Sequence, residues 1–129
     1  MTEFTVHLTN RPGMLATLTE LIASAGINVE ALAAFGVGET GVVRLMVDDQ
    51  VTTRSVLKKA GMIFDERRIE VTTLPHRPGA LATMARQLAD AGINIDAVYL
   101  LRSSAEGLEF AIGVDDPDAA AREFLSKQR

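Results

Sequence analysis

Two short segments of this 129-residue chain carry residue types suited to holding a small anion. Asn10-Arg11-Pro12-Gly13 stands just before an apolar run with helical spacing, and His76-Arg77-Pro78-Gly79 does the same 66 residues later. The first turn of a helix leaves backbone N–H groups without intrahelical partners, and the helix dipole places partial positive charge there. Together these features suit a carboxylate. Glycine at position 13 or 79 lets a ligand approach the main chain closely, and Asn10 adds a side chain that can donate and accept. In the second copy His76 puts an imidazole where the first has an amide. The bland reading, that Pro-Gly merely opens a helix, suffices for one copy. Two copies in register favour a functional one.

A second pair of polar residues accompanies the loops. Asn28 and Asn94 each follow a helix-ending glycine, inside the apolar stretches Ile27-Asn28-Val29 and Ile93-Asn94-Ile95. A turn asparagine bonding its own backbone would account for either. A polar side chain buried among apolar neighbours should instead find a partner, such as a ligand amine or carboxylate.

Other chemistries lack their residues. There is no cysteine, so neither a disulfide framework nor a thiolate zinc site is available. The two histidines, His7 and His76, share no carboxylate that the sequence places beside them, and His7 reads as exposed or structural on an alternating strand. Asp48-Asp49 and Asp115-Asp116 look like catalytic pairs, but they precede helices, where carboxylates cap N–H groups. Tyr99 reads as packing or pocket wall. No cluster of ligands implies a metal, and no cofactor is implied.

The elements that must position these residues follow from periodicity. Phe4, Val6 and Leu8 alternate with Thr5, His7 and Thr9 as in a half-buried strand. Met14, Leu15, Leu18, Leu21, Ile22 and Ala25 make one helical face, ended at Gly26. Strands are expected over 27–35 and 42–47 around a turn at 36–41, then a helix over 52–60 and a short strand at 62–64. The second half repeats the order: strand 69–74, helix 79–91, strands 93–101 and 108–114 with one extra residue, and a helix opened by Asp116-Pro117. It then ends without a counterpart of Met62-Ile63-Phe64. The expected fold is α+β, two ferredoxin-like βαββαβ units with antiparallel sheets and helices on one face, the second lacking its last strand. Their bounds are 1–66 and 67–129. An uncovered strand at 69–74 is a liability, and a hairpin of Met62–Phe64 onto it, turning at Asp65-Glu66-Arg67, is one way to cover it.

The halves are an internal repeat. From 10–32 against 76–98, 12 of 23 positions are identical, where chance gives roughly one or two. Units of about 65 residues are near the lower limit for folding alone. Hydrophobic content of 47% and charged content of 23% mark a globular chain. A net charge of −4 and no basic run argue against nucleic acid; Arg67-Arg68, flanked by acids, reads as a solvated turn. No apolar run approaches the ~20 residues of a membrane span, and the N-terminus does not look like a signal peptide, so a cytoplasmic location is expected.

Asn-Arg-Pro-Gly-x-Leu followed by Ala-Gly-Ile-Asn-Val/Ile resembles the ACT domain, a small ligand-binding module attached to enzymes of amino-acid metabolism. The resemblance covers nearly the whole chain, twice, and is strongest to stand-alone proteins of two tandem ACT domains; Gly41–Asp48 and Val114-Asp115-Asp116-Pro117 also suit that group. It implies ligand sites between paired units. One would use Asn10, Arg11, Pro12, Gly13, Met14 and Leu15 with Asn94; the other, His76, Arg77, Pro78, Gly79, Ala80 and Leu81 with Asn28. Main-chain N–H groups would take the α-carboxylate, the asparagine the polar head group, and an apolar wall the side chain. Some ACT domains carry a histidine two residues before the Asn; Leu8 stands there, which disfavours a hydroxylated ligand such as serine and favours an apolar amino acid. The resemblance thus implies a non-catalytic amino-acid sensor, a homodimer, with a regulated metabolic enzyme as possible partner. The alternatives are an interaction module with degenerate sites and a small enzyme.

Overall fold

The computed structural model describes residues 1–127. The chain forms two compact units, Thr2–Arg67 and Arg68 onward, Met1 grouping with the latter. The first contains β1 (Thr2–Thr9), α1 (Met14–Ser24), β2 (Val29–Val37), β3 (Thr40–Val47), α2 (Gln50–Lys59) and β4 (Ile63–Arg68). The second contains β5 (Glu70–Leu74), α3 (Ala80–Asp90), β6 (Ile95–Ser104), β7 (Gly107–Val114) and α4 (Pro117–Lys127). The sheet orders are β2-β3-β1-β4 and β5-β7-β6. This is the expected α+β fold, with the second unit one strand short among the described residues.

Alternation on β1 sorts its side chains by face. Phe4 and Val6 are fully buried and pack with Leu18 and Ile22 of α1, Leu57 of α2, and Val43, Leu45 and Val47 of β3. The smaller second core gathers Met84, Leu88, Ile93, Ile112, Val114 and Ala120. β3 lies between β1 and β2, both antiparallel to it, with Phe4 opposite Leu45 and Leu32 opposite Leu45. The hairpin strands run closer together than their turn residues foretold: β2 extends through Val37 and β3 begins at Thr40, leaving Gly38-Glu39 as the turn. The extra residue of the second half enters β6 as a bulge at Leu101, where the register shifts between Leu100 and Arg102.

Two expectations are overturned. Met62–Phe64 does not fold back onto the strand that follows. Asp65-Glu66-Arg67 is not a turn but the body of β4, which lies beside β1. Side chains explain the choice. The Phe64 ring packs 6.0 Å from Phe4, His7 and Asp65 lie 3.3 Å apart, and Arg67 Nε donates to Glu3 Oε1 at 3.0 Å. Nor are Arg67-Arg68 a solvated turn. Glu3 is completely buried and accepts from Arg67 and, at 2.7 Å, from Arg44 Nη1. A buried carboxylate is tolerable only when so paired. Arg68 serves the second unit, donating to Glu70 Oε1 at 2.8 Å and to Asp118 Oδ1 at 2.6 Å.

Candidate functional site

Four helix starts divide into two kinds. α2 and α4 are capped by aspartates: Asp49 Oδ1 accepts from Thr52 N and Asp116 Oδ1 from Ala119 N, both at 3.0 Å. The Thr52 hydroxyl donates to Asp49 Oδ2 at 2.6 Å, and these hydrogen bonds lower the Asp49 pKa below its ordinary value. α1 and α3 have no side-chain cap. Each begins on a glycine in the left-handed region, Gly13 at φ 88° and Gly79 at φ 90°, a conformation costly to any residue with a Cβ. Met14 N and Ala80 N donate back to Arg11 O and Arg77 O at 3.4 and 3.3 Å, and no side chain caps the N–H groups that follow. Leu15 and Leu81, on those same first turns, are 43% and 44% exposed, unusual for leucine on an otherwise inward-facing stripe.

In the first unit the loop opens onto a cavity of about 230 Å³. Its wall is Leu8, Met14, Leu15, Val42 and Val43, with Asn10 and Arg11 at the loop. The volume falls below the roughly 300–1,000 Å³ of sites for drug-sized molecules, so the fit is to something smaller. In the second unit the corresponding loop opens on its other side. There a cavity of about 500 Å³ lies between β5, α3 and α4, lined by Thr72, Leu74, Arg77, Met84, Gln87 and Phe124 among others. These two cavities are not counterparts of one another. The Asn10–Leu15 residues gather around the first cavity save Pro12 and Gly13, which only join the loop to the helix; Arg77, Pro78, Gly79 and Ala80 line the second, while His76 and Leu81 do not.

Asn28 and Asn94 sit differently from expectation. Both are exposed rather than buried among apolar neighbours. The bonds fixed there belong to their backbones. Asn28 N donates to Asp48 Oδ1 at 3.0 Å while Asp48 N donates to Asn28 O at 3.2 Å. Asn94 and Asp115 repeat both bonds at the same distances. Asp48 and Asp115 are therefore clasps between a strand start and a strand end, not helix caps; the sequence held that signal as an Asn and an Asp at matching places in both halves. Among the described residues no group of three or more His, Asp or Glu is placed to hold a metal ion.

Residues 4–65 match the family model described as the AHAS small subunit-like ACT domain. The match spans nearly the whole of the first unit and just under half of the chain. An acetolactate synthase small subunit of Aquifex aeolicus is 30% identical over 82 residues, 60% of this chain; the chain spans less than half of that relative's length, 43%. Among solved structures, a Bacteroides thetaiotaomicron protein superimposes with a TM-score of 0.88 at 24% identity, covering 98% of this chain and 88% of the other. The ligand-free regulatory subunit of aspartate kinase from Thermus thermophilus gives 0.71 at 16% identity, covering 97% and 88%. Both likenesses concern the fold.

Proposed function

We propose that this protein is a non-catalytic regulatory sensor built from two tandem ACT-like domains, 1–66 and 67–129, that binds a small apolar amino acid. The observation carrying this reading is the pair of glycine-started, uncapped helices, each with an exposed leucine on its first turn. An amino acid offers what such a place lacks, a carboxylate for the N–H groups and a side chain to cover the leucine. The small cavity walled by Leu8, Met14, Leu15 and Val43 supports an apolar guest over a hydroxylated one. The similarity to an acetolactate synthase small subunit supports a regulatory role and an enzyme of amino-acid metabolism as partner. In this reading, two chains associate as a homodimer, and the asparagines at 28 and 94 complete sites formed by paired units.

Thermal unfolding in the presence of each of the twenty amino acids tests this. A ligand at a hundred times its Kd stabilises the native state by about 2.7 kcal/mol. One or more apolar amino acids should raise the midpoint, and their C-terminal amides, lacking the carboxylate, should not. Equal shifts from acid and amide would remove the helix starts from the site. No shift from any amino acid at millimolar concentration would overturn the binding reading.

A further inference from the structure

Asn10 is the residue in which a ligand contact is most readily imagined, yet its amide is already engaged. Asn10 Nδ2 donates to Gly38 O at 3.0 Å, and Asn10 N donates to Glu39 O at 2.7 Å. Both acceptors belong to the turn of the β2–β3 hairpin. The amide lies against Gly36: a Cβ there would overlap Asn10 Nδ2 and lie 2.7 Å from its Cγ and 2.9 Å from its Oδ1, its three nearest atoms. The space that glycine leaves is the space the amide fills.

The second unit has dropped every part of this arrangement. Pro75 stands where Thr9 stands, so β5 ends one residue earlier, at Leu74 opposite Leu108, whereas β1 continues to Thr9 opposite Thr40. Proline brings no N–H to extend the ladder. The following loop closes on itself instead, Arg77 N donating to Pro75 O at 3.0 Å. His76 replaces Asn10, and the residues corresponding to Gly36 are Arg102 or Ser103, each with a side chain.

We infer that Asn10 is a positioning residue, a latch that fixes the Asn10–Gly13 loop to the β2–β3 hairpin so that the two move as one body. Gly36 is its receptacle. The first loop is held open in a set shape, the second is not, and events at the first loop reach edge strand β2 through Asn10. The consequence for binding rests on the ligand reading above; the latch itself does not.

Hydrogen exchange of the ligand-free protein tests it. Asn10→Ala and Gly36→Ala should each speed exchange across residues 36–41 by about tenfold, equal to ~1.4 kcal/mol. Amides of α1 around Leu18 and Ile22 should keep their protection, which a general loss of stability would not allow. The double variant should exchange no faster than Asn10→Ala alone, because the three atoms nearest an added Cβ at 36 all belong to the amide that is then gone. His76→Asn should leave exchange over 103–108 unchanged, since no receptacle exists there. Unchanged exchange in both single variants, additive effects in the double variant, or protection gained by His76→Asn would overturn the latch. Failure of every amino acid to stabilise the wild-type chain would instead overturn the ligand reading and leave these exchange results to decide the latch.

Discussion

Phe4 and Glu70 hold the same place in the two sheets, Phe4 opposite Leu45 and Glu70 opposite Ile112, and one is apolar where the other is charged. In the first unit the ring is fully buried and meets Phe64 of the neighbouring strand. In the second, among the described residues, β7 is the one strand beside β5, and the carboxylate is taken by Arg68, whose other nitrogens reach Asp118 and the Pro117 carbonyl on α4. A charged clamp on the last helix thus stands where the first unit has an aromatic contact and a fourth strand.

If β4 is held by that aromatic contact, Phe64→Ala should destabilise the first unit. Phe64 is only half-buried, so the cost should be below the 3–5 kcal/mol of a core phenylalanine, at about 2 kcal/mol. Urea unfolding measures it. A midpoint equal to that of the wild type would mean that strand pairing and the Glu3–Arg67 contact hold β4 without the ring.

Acid should loosen the first unit through two carboxylates. Arg54 donates to both Glu66 oxygens at 2.7 Å, and this hydrogen bonding lowers the Glu66 pKa below its ordinary 4.5. Asp49, held by Thr52, is lowered below 3.8. Both are stronger acids folded than unfolded, so the unfolded chain takes up protons first as pH falls. Their contribution is fully present above the unfolded values and is lost as pH drops through the lowered folded ones. The melting temperature of Glu66→Gln should therefore fall less than that of the wild type between about pH 6 and about pH 3. Parallel acid limbs would show that the Arg54 pair contributes nothing in solution, the common fate of exposed pairs.

Asn28→Ala and Asn94→Ala separate what the fold needs from what a ligand needs. The clasp to Asp48 or Asp115 uses backbone groups that alanine also has. Each variant should stay within about 0.5 kcal/mol of the wild type without ligand, while the stabilisation by an amino acid shrinks. A large loss of ligand-free stability would place the amide in the fold instead.

Much of this was readable from residue order. The βαββαβ pattern, the helix-ending glycines and the aspartate caps at 49 and 116 follow from local rules that need no tertiary information. What escaped depends on partners far apart in the chain. Asp65-Glu66-Arg67 has a turn-like composition, and contacts far along the chain, Asp65 to His7 and Arg67 to Glu3, hold it as a strand. Asn28 looked buried because its neighbours are apolar, but of these only Ile27 turns inward, and Asn28 and Val29 are both exposed ahead of and at the start of β2. The helix start after the Asn10 loop was legible; the loop's attachment to the hairpin depended on the gap at Gly36, which no local pattern announces.

The two open helix starts also bear on how long the protein survives. With glycine at the N-cap, α1 and α3 forgo about a few tenths of a kcal/mol relative to a side-chain cap. A guest that binds only the folded form makes up that deficit and lowers the unfolded population. Shifts of 1–2 kcal/mol change the abundance of a marginally stable protein several-fold through proteolysis. If an amino acid fills those starts as proposed, leaving them uncapped makes the lifetime of the chain, and not only its shape, depend on the concentration of that ligand.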